Sequence, residues 1–255
     1  PRVAGGGIAQ LKAAGMEVIS GVRQAEAAQQ NRAFLHRIRT GRPWGLLKWA
    51  MSLDGRTALT NGASQWISSP PARGWVHQLR AGVDAVIVGG GTLRADDPLL
   101  TSRGKRNPEP LRVVLSRSLD LPPDAQLWEQ QLAPTLVVHG REASPDAKRQ
   151  LDQRGVERLE LEQCQPEALL QALAQRGCNR VLWECGPQLA AAAIAQGCVQ
   201  ELAAVVAPAL LGGEAARTPL AELGFTAMDQ VIRLAPHSPQ ELGSDWLFQS
   251  LLPED

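Results

Sequence analysis

Three kinds of ionisable position stand where a strand-and-helix protein places its chemistry. Lys48 lies within Leu46-Leu47-Lys48-Trp49-Ala50, with apolar neighbours on both sides. An ammonium in a buried strand is costly without a partner. Lys48 therefore either points into a cleft or snorkels from an edge strand into water. Glu184 closes the run Val181-Leu182-Trp183-Glu184 just before Gly186, and parallel sheets gather ligands at the carboxyl ends of their strands. Asp96 and Asp97 follow Gly89-Gly90-Gly91-Thr92. One of the pair suits a turn before Pro98, the other a ligand. A lysine and carboxylates placed in this way are equipment for general acid–base chemistry.

The glycine run after a strand lets a ligand approach the backbone, or simply makes a tight turn. It is no dinucleotide fingerprint, since Arg94 stands where the third glycine belongs. Gly186-Pro187 marks a second strand-to-helix junction, whose free N–H groups suit a pyrophosphate; an ordinary connection reads the same way. Arg80 and Arg103 offer planar donor forks suited to phosphate oxygens. Trp66, in Ser64-Gln65-Trp66-Ile67-Ser68, either stacks on a ring or fills core. Cys164, Cys178, Cys185 and Cys198 form no C-x-x-C pair, and His36, His77, His139 and His237 are scattered. No metal site is expected, and the cysteines read as buried thiols of a cytoplasmic protein.

These residues need strands and helices to hold them. Strands are expected at Trp44 to Met51, Asp84 to Gly89, Leu111 to Leu115, Thr135 to Val138, Val181 to Glu184 and Leu202 to Ala207. Helices are expected from Ser69-Pro70-Pro71 to Arg80, from Pro166 to Arg176, and from Gly186-Pro187 to Gln196. Gln230 to Leu234 and Asp245 to Ser250 read as a closing pair of strands. Before the Gly41-Arg42-Pro43 break, a short helix (Ala9 to Ala14), a strand (Met16 to Ser20) and a polar helix (Gln24 to Arg39) are expected. The alternation predicts an α/β fold, with a mainly parallel central sheet and helices on both faces. The chain has 255 residues, 44% hydrophobic and 20% charged, and 26 basic residues balance 26 acidic ones. Zero net charge argues against nucleic acid as a partner. No apolar run reaches the ~18 residues of a membrane span.

Taken in order, several segments resemble one family. They are Lys48-x-Ala50-x-Ser52-Leu53-Asp54-Gly55-Arg56, Ser64-Gln65-Trp66-Ile67-Ser68, and Ala72-Arg73-x-x-Val76-His77-x-Leu79-Arg80-Ala81. Asp84 to Thr92 and Asp96-Asp97-Pro98-x-Leu100-Thr101-x-Arg103 follow, then Glu184-x-Gly186-Pro187 and Ala207-Pro208-x-Leu210-Leu211-Gly212-Gly213. This series is similar to the reductase domain of the bacterial bifunctional riboflavin-biosynthesis deaminase/reductase. Residues 1–40, with Val3-Ala4-Gly5-x-Gly7-Ile8 and Ala14-Gly15-Met16, resemble the tail of that family's deaminase domain, without its zinc motifs. The resemblance implies a deaminase remnant over 1–40 and a reductase domain over 41–255.

It also implies a dihydrofolate-reductase-like fold, a homodimer, and NADPH-dependent reduction of the ribosyl group of 5-amino-6-(5-phosphoribosylamino)uracil. Carried over, NADPH would contact Ala50, Trp66, Thr92, Asp96 and Gly186, Pro187, Gln188, Leu189, Ala190, Ala191 and Ala192. The substrate would contact Ser64, Arg80, Leu100, Arg103 and Glu184. Lys48, Asp96 and Glu184 would share the catalytic proton and charge work. Ser116 and Arg117 stand where a 2′-phosphate partner is needed. Two other readings remain at this stage: an NADPH reductase of the same fold for another pterin- or pyrimidine-like substrate, and a non-catalytic ligand-binding descendant.

Overall fold

The side chains of Ala85, Val86, Ile87 and Val88 are all fully buried. A strand covered on both faces requires helices above and below it. In the computed structural model, which describes residues 5–235 and 238–253, the described strands form one sheet. They are β1 (Trp44–Ser52), β2 (Ala85–Gly89), β3 (Leu111–Leu115), β4 (Thr135–His139), β5 (Glu157–Glu160), β6 (Arg180–Trp183), β7 (Glu201–Ala207), β8 (Gln240–Leu242) and β9 (Asp245–Leu251). The order across the sheet is β5-β4-β3-β2-β6-β1-β7-β9-β8. Neighbours from β5 to β7 are parallel, and β9 runs antiparallel to β7 and β8. His237 and the Val3-Ala4 end of the N-terminal motif lie outside the described residues.

The helices are α1 (Gly6–Ala13), α2 (Gln24–Gln30), α3 (Arg32–Thr40), α4 (Pro70–Ala81), α5 (Gly90–Asp96), α6 (Pro145–Gln153), α7 (Pro166–Gln175) and α8 (Pro187–Ala195). Alternate strand residues feed two apolar layers, as the pleat requires. Leu46, Val86, Val114, Val137 and Leu182 meet Ala72 of α4, Leu93 of α5 and Leu151 of α6. Leu47, Ile87, Val113, Leu136 and Trp183 meet Leu169, Leu170 and Leu173 of α7 and Ala190 and Ala193 of α8. Each Val, Leu or Ile among them contributes about 1.5–3 kcal/mol on burial, so both layers hold the sheet.

From β2 the chain steps outward through β3 and β4 to β5. It then returns through α7 to β6, which inserts between β2 and β1. The covering helices change face at the same return. Such a switch point leaves a crevice at the carboxyl ends of the strands that flank it. The mainly parallel α/β architecture is the one expected for a dihydrofolate-reductase-like fold.

Some local expectations are corrected. Met16 to Ser20 forms no strand, and Gln24 to Arg39 is two helices that meet at Asn31. Gln230 to Leu234 is not a strand either. The closing hairpin is instead β8 with β9, joined through Gly243-Ser244 with Gly243 at φ +70°, a connection short enough to fix a hairpin register. Strand β5 and helix α6 are among the elements that the sequence did not reveal. Strand β5 is Glu-Arg-Leu-Glu at the sheet edge, where charge replaces apolar alternation. Helix α6 opens on Ser144-Pro145, with Ser144 Oγ accepting from the Ala147 N–H at 3.1 Å.

Candidate active site

Glu184 follows β6 directly, and its backbone N–H donates to the Ile87 carbonyl of β2 at 2.9 Å. One step beyond the Leu47–Trp183 register pair, it is level with Lys48 of β1. Arg80, in the last turn of α4, holds the carboxylate at two points. Its Nε donates to Oε1 at 2.6 Å and its Nη2 to Oε2 at 2.9 Å. The third arm, Nη1, donates to the Thr101 carbonyl at 3.1 Å. The two side chains are 12% and 11% exposed. Burial works to raise the Glu184 carboxyl, but Arg80, joined by Lys48, outweighs it and holds the group below the usual carboxylate range. Desolvation pushes the Lys48 ammonium below the ordinary lysine range, Glu184 opposes this, and Arg80 adds to it.

Lys48 and Glu184 line a cleft of about 1230 Å³, and Arg80 lies behind Glu184, outside the lining. That lies above the roughly 300–1,000 Å³ typical of a pocket for one drug-sized ligand. Ala50, Ser64, Thr92, Asp96, Gly186, Pro187, Gln188, Leu189 and Ala192 line it with Lys48 and Glu184. The glycine run is the start of α5 rather than a loop, with Gly89 as its N-cap. A Cβ on Gly90 would press on Ser116 Oγ and Leu121, whereas one on Gly91 would meet only open space. The N-terminus of α8 lies alongside, tied by the Gly186 N–H donating to Thr92 Oγ1 at 3.0 Å. Neither N-terminus has a side-chain cap, so both leave N–H donors and positive dipole ends at the cleft. Burial raises the Asp96 carboxyl, while the Ser64 hydroxyl, 3.4 Å away, and the Arg217 charge pull it back.

Other expected residues lie away from this wall. Ala190 and Ala191 are buried and do not line the cleft. Leu100 is buried in the core with φ +57°, which leaves only its backbone for a ligand. Trp66 is 69% exposed, on the connection from β1 to α4, with the Arg73 guanidinium 4.6 Å from its ring centre. Arg103, also at φ +57°, is exposed and near enough to His77 to disfavour its protonation. His77 was not singled out beforehand. Desolvation, then Arg80 and Arg103, lower its basicity, and its spacing from Arg80 on one helix face was the available signal. Arg217 also lines the cleft, and nothing in its local sequence marked it.

All four cysteines are free. Burial pushes Cys164, Cys178 and Cys198 up to about 11 and Cys185 to about 12, so none is a ready nucleophile. Among the described residues, no cluster of three or more His, Cys, Asp or Glu is placed to hold a metal. No described helix is long and apolar enough to cross a membrane.

A switch-point cleft with a lysine, two carboxylates and two helix N-termini defines an α/β domain with a ligand-binding cleft. The sequence profile of the RibD C-terminal domain matches residues 43–248. The chain belongs to that family. It is 50% identical over 252 residues to the riboflavin biosynthesis protein RibD of Synechocystis, covering 99% of this chain and 68% of that protein. It is 40% identical over 222 residues to the chloroplastic riboflavin biosynthesis protein PYRR of Arabidopsis thaliana, covering 87% and 37% respectively. Among solved structures, Acinetobacter baumannii RibD superposes with a TM-score of 0.87 at 35% identity, over 100% of this chain and 70% of that one. A Thermotoga maritima diaminohydroxyphosphoribosylaminopyrimidine deaminase/5-amino-6-(5-phosphoribosylamino)uracil reductase gives 0.83 at 26% identity, over 99% and 68%. The chain thus spans about two thirds of these RibD proteins and little over a third of PYRR.

Proposed function

We propose that this chain reduces the ribosyl group of 5-amino-6-(5-phosphoribosylamino)uracil to ribityl, with NADPH as reductant. The observation that carries the reading is Lys48 beside Glu184 on the cleft wall, with Arg80 holding the Glu184 carboxylate from behind. NADPH, when bound, supplies the hydride to the anomeric carbon. The protein's task is to open the sugar and stabilise the cation that accepts the hydride. Glu184, kept ionised by Arg80, faces the positive charge that develops at that carbon. Lys48, whose proton is held less tightly than an ordinary lysine's, delivers it to the ring oxygen as the ring opens. Asp96, with Ser64, orients the reacting sugar between the two.

The cleft suits the cofactor. The α8 N-terminus from Gly186 to Leu189 would take the pyrophosphate. Arg117, on the cleft wall at the end of β3 beside Ser116, would take the 2′-phosphate that separates NADPH from NADH. Arg80 is occupied with Glu184, so Arg103 rather than Arg80 would meet the substrate phosphate. Residues 1–40 fit the reading as the tail of a deaminase domain, and residues 41–255 as the reductase. Free thiols suit a reducing, cytoplasmic setting. Trp246 and Phe248, exposed on one face of β9, supply an apolar strip for a homodimer.

Lys48→Met, Asp96→Asn and Glu184→Gln test the roles. Each is expected to lose roughly 100-fold or more in kcat/KM. A variant that keeps the wild-type rate loses its place in the mechanism.

A further inference from the structure

The connection after β7 is stitched to the connection after β1 over one side of the cleft. The Leu53 N–H donates to the Ala209 carbonyl at 2.9 Å, and the Thr57 N–H donates to the Arg217 carbonyl at 2.8 Å. Between these stitches sits Asp54. Its Oδ1 accepts from Ser52 Oγ at 2.5 Å and from the Leu211 N–H at 3.1 Å, and its Oδ2 accepts from the Gly212 N–H at 2.7 Å. Gly212 and Gly213 take φ +65° and +87°, a path that side chains oppose. One exposed carboxylate thus gathers a strap, residues 208–219, that has no helix or strand of its own. These donors hold the Asp54 carboxyl down to about 2, so the clamp is charged at any neutral pH.

The strap ends on Arg217, Thr218 and Pro219, which line the same cleft as Ser64 and Asp96. The Arg217 guanidinium has no hydrogen-bond or ion-pair partner among the described residues. Its charge is nevertheless felt at Asp96. An unneutralised guanidinium on the wall of an active-site cleft is a ready contact for an anionic ligand group.

We propose that Asp54 is a positioning residue that holds the 208–219 strap against the cleft, and that the strap's Arg217 contacts phosphate oxygens of a bound ligand. The proposal rests on the reductase reading above. The phosphate belongs either to the cofactor or to the sugar substrate, and the two KM values separate these sources. Asp54 acts through the strap and touches neither ligand. An asparagine there keeps one acceptor oxygen but turns an amide N–H toward the second backbone donor, which weakens the clamp without removing bulk.

The experiment is a double-mutant cycle with a proteolysis arm. Arg217→Ala is expected to raise one of the two KM values about tenfold, with kcat nearly unchanged. Asp54→Asn is expected to raise the same KM a few-fold. It should add little in the Arg217→Ala background, because the residue it positions is already gone. In otherwise folded Asp54→Asn, trypsin should cut after Arg217 several-fold faster than in wild type. Unchanged KM values in Arg217→Ala overturn the phosphate contact. Independent, multiplying effects, or wild-type cleavage rates in Asp54→Asn, overturn the clamp. If wild type itself fails to oxidise NADPH, the reductase reading fails. The trypsin arm then still decides the clamp. Binding of inorganic phosphate decides Arg217, which must weaken in Arg217→Ala for the contact to stand.

Discussion

A carboxylate with little water around it stays ionised only if a cation is fixed beside it. Arg80 does this for Glu184 with two short donors, and Lys48 stands level with the pair on the next strand. Removing Arg80 leaves the buried Glu184 charge with Lys48 alone beside it, a change that costs up to about 3–5 kcal/mol. Arg80→Ala is therefore expected to lower the urea midpoint strongly at neutral pH. The pH dependence should reverse as well. In the wild type the Glu184 carboxyl sits below its unfolded value of 4.5, so its contribution is present above that pH and lost as acid passes the folded value. Without Arg80, burial raises the carboxyl instead, and acidification should narrow the gap between variant and wild type. Equal midpoints at neutral pH would contradict the account. Both residues were legible in the sequence as ligand-facing groups. Their pairing was not, because 104 positions separate them and only the sheet order brings them together. Arg217 was illegible for the same reason, since it reaches the cleft through a strap that no periodicity describes.

Elements that carry their own start signals were readable. Ser69-Pro70-Pro71 opens α4, with the Ser69 hydroxyl accepting from the Ala72 N–H, and Gly186-Pro187 opens α8. The buried runs of β2, β3 and β4 declared themselves by composition. Edge strand β5 did not, and the glycine run disguised the start of α5, since glycine is a poor helix former whose presence there reflects close packing on Ser116 and an open wall at Gly91. Gly45 makes the same point inside β1. A Cβ there would strike the carbonyl of Cys198 and lie 3.0 Å from the Trp183 indole nitrogen, which itself donates to that carbonyl at 3.1 Å. Backbone cannot step aside as a side-chain tip does. Gly45→Ala is expected to cost at least about 1–3 kcal/mol, measured as a lowered urea or thermal midpoint. A variant as stable as wild type would show that β1 and the segment before β7 are less tightly locked than their hydrogen bonds indicate.

At the scale of the molecule, the described residues 5–40 are attached chiefly through α3. Helices α1 and α2 bury no side chain, whereas α3 docks by Arg32. Its Nη2 donates to Glu201 Oε2 at 2.9 Å, and its guanidinium lies 5.2 Å from the Trp44 ring centre. Trp44 Nε1 and Arg180 Nη2 donate to the same oxygen at 3.1 and 2.9 Å. Glu201 keeps Arg180 when Arg32 is lost, so Arg32→Ala is expected to cost no more than about 1.5–3 kcal/mol. A two-state urea titration of the full chain checks this, and a larger loss would mean that α3 belongs to the core. In the proposed function, the sheet brings a nicotinamide cofactor and a phosphorylated sugar to one cleft. The most direct test is NADPH oxidation by the chain with 5-amino-6-(5-phosphoribosylamino)uracil, with NADH and the dephosphorylated sugar run in parallel. The account predicts oxidation that requires the 5′-phosphate and prefers NADPH. NADPH that binds but is not oxidised with this substrate would contradict it.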